Sequence, residues 1–106
     1  MDLIYFNETE YLFLHKVLLG MYSNPDMVAW FDAQPNAKPG ALKRMILTAE
    51  NSSGFTRAQL NDLYEFNNWC IDVARKAGAQ LGGDISRNGF RHILVLAELL
   101  GEKLNE

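Results

Sequence analysis

The sequence predicts an all-α protein. Residues 1–106 form one domain, a compact helical bundle of about five helices. Three observations carry that expectation. Apolar residues recur at helical rather than alternating spacing in the longer segments. Helix-start signals stand at Asn7, Pro25 and Thr56, and a helix-stop signal stands at Gly82-Gly83. No strand-like alternation follows the first six residues. The length suffices for one hydrophobic core, and 48% apolar with 22% charged residues is an ordinary globular composition.

Leu3-Ile4-Tyr5-Phe6 reads as a short extended lead-in. Asn7 caps a first helix at 8–22, with Glu10 placed to complete a capping box and Phe6 and Tyr11 placed as a hydrophobic staple. Only His15 and Lys16 are polar between Tyr11 and Tyr22, so this helix is apolar on nearly every side. Such a helix is either central or shared with a partner. A second helix is expected at 25–33. Asn24 caps it, Pro25 occupies the first helical position, and Met27, Trp30 and Phe31 form its apolar face. Two prolines and Gly40 make residues 34–40 a loop. A third helix at 41–50 faces inward with Leu42, Met45, Ile46 and Ala49.

The long helix at 57–81 is the wall of the bundle. Thr56 and Gln59 form its capping box. Leu60, Leu63, Phe66, Cys70, Val73 and Ala74 share its inner arc. Asn67 projects into that arc and reads as a hydrogen-bonded core amide. Trp69 projects away from the arc's centre, among charged residues. The last helix is expected at 86–104, with Ser86 as cap and Phe90, Ile93, Leu94, Ala97, Leu100 and Leu104 inward. Val95 and Leu99 form a second apolar strip beside His92. The last two helices should make an antiparallel hairpin joined by residues 82–85.

The single cysteine excludes an intrachain disulfide, so a cytoplasmic, reducing location is expected. No basic leader opens the chain, and the apolar stretch at 11–22 is too short to span a bilayer, so no membrane association is expected. His15 and His92 lack ligand partners at helical reach, which argues against a metal site. Cys70 falls in the core arc, where a small buried hydrophobe is the expected role. The glycines do not form a phosphate loop. No enzyme chemistry and no cofactor are expected.

What remains points to binding. A tryptophan on a polar face is a common interface anchor, so Trp69 is a candidate partner contact, as are Val95 and Leu99. The front of the chain is acidic, with Asp2, Glu8, Glu10, Asp26 and Asp32 interleaved by aromatics that include Trp30. Surfaces of that kind dock onto basic partners. The net charge is -3. The leading expectation is therefore a small acidic protein-binding module, a regulator or inhibitor acting through its helical surface, with another protein or a second copy of itself as partner. The alternative is nucleic-acid or anion binding through Ser86, Arg87, Asn88 and Arg91 at the start of the last helix. There two arginines stand where the helix dipole prefers acids. A negative net charge counts against it.

Overall fold

Two of the helices begin where a side chain serves the backbone N–H groups that no helical carbonyl can reach. In the computed structural model, which describes residues 3–22, 25–34, 37, 40–50, 54–77 and 90–105, the chain runs β1 (Ile4–Tyr5), α1 (Glu8–Tyr22), α2 (Pro25–Asp32), α3 (Ala41–Glu50), β2 (Gly54–Phe55), α4 (Arg57–Ala77) and α5 (Phe90–Leu104). Ahead of α1, the Asn7 N–H donates to Glu10 Oε1 at 2.9 Å and the Glu10 N–H donates to Asn7 Oδ1 at 2.8 Å. Ahead of α4, Thr56 and Gln59 make the same reciprocal pair at 3.0 and 3.1 Å. Both are the capping boxes read from the sequence, each worth about 1 kcal/mol. Gly40 precedes α3 at φ 78°, a left-handed conformation suited to glycine, and its carbonyl accepts the Arg44 N–H.

Among the described residues the protein is all-α apart from a ribbon of two two-residue strands, and α4 and α5 pack against each other. Their hairpin is antiparallel. Arg57 at the start of α4 donates to the Leu104 carbonyl at the end of α5, and Tyr64 lies beside Gly101. Helix α2 ends one residue before the expected boundary, although the Ala33 N–H still reaches the Ala29 carbonyl. The expected tail of the long helix at 78–81, the stop at Gly82-Gly83, the loop to residue 85, the first turn of the last helix at 86–89 and the cap at Asn24 lie outside the described residues.

The four longer helices close a cycle of contacts, α1 to α3 to α4 to α5 and back to α1, with α2 docked on α1. Leu14, Phe55, Leu60, Leu96, Leu100 and Cys70 sit fully buried at its centre. Helices α1 and α5 also pack against each other. They meet at Glu10–Lys103 and again at Phe13–His92, positions close together on α1 and three turns apart on α5.

The lead-in is more than an extended approach. Residues Ile4 and Tyr5 pair antiparallel with Phe55 and Gly54. Phe6 then sets its ring edge-on against Phe55 at 5.3 Å. Gly54 admits the Tyr5 ring: a Cβ there would stand 2.8 Å from Tyr5 Cε1. The residues expected to staple α1 have separate long-range partners, Phe6 on β2 and Tyr11 on α3. The Tyr11 hydroxyl donates to the Ala49 carbonyl at 2.6 Å, serving one of the carbonyls left over at the end of α3.

The inner face of α5 is rotated from the sequence reading. Ile93, Leu96, Leu100 and Lys103 are buried, while Leu94, Ala97 and Leu104 are only partly so. The reason is that α5 has two neighbours. Tyr64 of α4 flanks it at Gly101, and α1 draws Lys103 inward on the other side.

Candidate protein-binding surface

The sequence singled out Trp69, Val95, Leu99 and Trp30, and the fold places them in two separate groups. Trp69 and Trp30 belong to an aromatic chain between α2 and α4. Trp30 meets Phe31 at 5.1 Å, Phe31 meets Trp69 at 5.8 Å, and Trp69 meets Phe66 at 6.0 Å between ring centroids. Both tryptophans are partly buried and packed on the core. Trp69 stands off the α4 arc because α2 comes to meet it. Among the described residues its ring neighbours are Phe31 and Phe66. Every ring in this aromatic chain has a neighbour within the fold, so the chain joins α2 to α4.

Val95 and Leu99 stand on the α1 side of α5, beside His92, whose ring meets Phe13 of α1 edge-on at 6.2 Å. Leu99 is partly buried against the core, whereas Val95 is 45% exposed. On α1, Leu12 is 59% and Leu19 is 43% exposed. The sequence marked α1 as apolar all round, and these leucines are what that excess becomes. Leu14, Val17 and Leu18 face the core, and Leu12 and Leu19 face out, with Lys16 between them. The stripe was missed as a site because the sequence does not say which side of such a helix the core takes.

Arg91 is exposed and has no ion-pair partner among the described residues. Ser86, Arg87 and Asn88, the rest of the alternative site, lie outside the described residues.

Among the described residues the two buried polar side chains, Asn67 and Lys103, hold the bundle together. Asn67 is buried and donates from Nδ2 to the Ile93 carbonyl at 2.7 Å. Lys103 Nζ lies 2.9 Å from Glu10 Oε1, donates to the Tyr5 carbonyl at 3.2 Å, and sits 5.3 Å above the Phe6 ring centroid. The Asn7 backbone N–H and then the Lys103 ammonium hold the Glu10 carboxyl below its ordinary value, with burial opposing them. Burial pushes the Cys70 thiol up to about 12. His15 Nε2 is buried with no hydrogen-bond partner among the described residues, and the ring tilts against Tyr11 at 4.6 Å. Among the described residues no three of His, Cys, Asp and Glu come close enough to hold a metal, and no helix is long and apolar enough to cross a membrane.

No protein-family model matches the chain, and neither a curated protein nor a solved structure gives a significant match.

Proposed function

We propose that this chain is a small protein-binding module without catalytic activity, which regulates or inhibits a partner by occupying its surface with the outward faces of α1 and α5. The observation that carries this reading is the exposure of Leu12, Leu19 and Val95 on two helices that pack against each other. A lone exposed leucine on a small domain needs no explanation, but apolar side chains recurring along one helix face commonly mark a contact surface. Burial raises the Cys70 thiol, which supports an inert structural cysteine, and action in a reducing, cytoplasmic compartment is proposed from the single cysteine of the chain.

An affinity pull-down of the tagged full chain, with and without nuclease, tests the reading. The expected result is a discrete protein held at near-stoichiometric amounts after nuclease treatment and lost with Val95→Glu or Leu12→Glu. Both positions are exposed, so neither change should unfold the domain. Capture that disappears with nuclease and survives both substitutions overturns it. That pattern would move the function to the Arg87–Arg91 segment, where affinity should fall steeply with salt and with Arg91→Ala.

A further inference from the structure

The outward stripe of α1 has an order that suggests its own occupant. Glu8, Leu12, Lys16 and Leu19 are all exposed, and on a helix they fall within about 40° of Leu12. Neither Glu8 nor Lys16 has an ion-pair partner among the described residues. The stripe reads acid, leucine, base at equal four-residue steps, with Leu12 in the middle. Two such stripes laid antiparallel about a two-fold axis at Leu12 bring each leucine onto its copy. The same operation carries each Glu8 onto the partner's Lys16, and it does so twice because the axis is two-fold. Leu19 then reaches past the partner's Glu8, at the partner's helix start. A parallel pairing would instead set Glu8 against Glu8 and Lys16 against Lys16, which like-charge repulsion disfavours.

We infer that α1 is a homodimer contact: two copies of this chain pair antiparallel through Glu8, Leu12, Lys16 and Leu19, with the two-fold axis at Leu12. The inference rests on the protein-binding reading and names a second copy as the occupant of the α1 face. A contact along one 15-residue helix is small. It belongs at the low end of interface sizes, so association in the micromolar range and above is expected.

Sedimentation of the full chain from about 1 μM to about 1 mM, the range in which weak dimers dissociate, is the test. The mass should climb from 12.0 kDa toward twice that value. Glu8→Lys should weaken association on the order of tenfold, because two attractive pairs become repulsive. Glu8→Lys with Lys16→Glu should restore it, because the reversed charges pair again. Leu12→Glu should abolish it. Helices in contact at 8–10 Å place residues on the axis within disulfide reach, so Leu12→Cys should oxidise to a covalent dimer. Leu47→Cys, exposed on α3, should not. A wild-type chain that stays monomeric throughout overturns the proposal; the binding-module reading survives that result if Val95→Glu still abolishes capture of a different protein. A dimer indifferent to Leu12→Glu and to the charge reversal also overturns it, by placing the contact elsewhere.

Discussion

Asn67 and Cys70 stand one turn apart on the buried side of α4, one polar and one weakly so, and the fold treats each according to its chemistry. The amide reaches the Ile93 carbonyl, which joins α4 to α5 at a fixed height along both helices. A buried amide without such a bond would cost about 1–3 kcal/mol. Among the described residues the thiol has no charge partner, and desolvation raises it to about 12. At pH 8 the folded protein then holds the sulfur as a thiol, and the sulfur is also inaccessible. The folded chain should therefore leave a thiol reagent unreacted over hours at pH 8 and titrate one thiol at once in denaturant. Prompt reaction of the native protein would mean that α4 opens locally. Both roles were legible in the sequence, because burial on one's own helix follows from position along it. Trp69 was legible only halfway. Its angle on α4 was right, but a helical wheel holds no knowledge of the neighbour, and α2 brings Phe31 to that side.

Between elements, legibility followed distance along the chain. The capping boxes at Asn7–Glu10 and Thr56–Gln59 join residues three apart, and the sequence states them outright. The ribbon of Ile4 and Tyr5 with Gly54 and Phe55 joins two-residue strands whose pairing no periodicity can reveal. The Glu10–Lys103 pair joins opposite ends of the sequence, and it explains why a lysine takes a place on the inner face of α5. Its ammonium holds three things together: the capping acid of α1, the Tyr5 carbonyl of β1 and the ring of Phe6. The pair leaves a pH signature. Glu10 is lowered in the folded state from its ordinary 4.5, so its contribution is complete above that value and is lost as pH falls through the folded value. Glu10→Gln keeps an oxygen for the Asn7 N–H and removes only the charge. Wild type should exceed Glu10→Gln by about 1–2 kcal/mol at pH 7 in urea unfolding, and the gap should close as the pH falls well below 4.5. A gap independent of pH would mean that the Glu10 charge contributes nothing to stability.

At the scale of the molecule, the four-helix cycle has contacts along its whole circuit, but α2 is attached by less. It docks on α1, and its reach to α4 runs through Phe31 and Trp69. The chain has two tryptophans, and both lie at this joint, one on each side of Phe31. Intrinsic fluorescence therefore reports the α2–α4 contact, while far-UV circular dichroism reports every helix. A radius of gyration of 13.4 Å is close to the roughly 13 Å expected for a compact domain of this length, and Phe31 is buried with the main core rather than in a satellite of its own. Those facts argue that α2 unfolds with the rest. The two signals should give one urea midpoint in the wild type, and Phe31→Ala should move both together, at a cost of about 3–5 kcal/mol. An earlier fluorescence transition would show α2 leaving a bundle that remains helical. The cycle of α1, α3, α4 and α5 would then be the folding unit, and the aromatic chain a hinge that exposes Trp69.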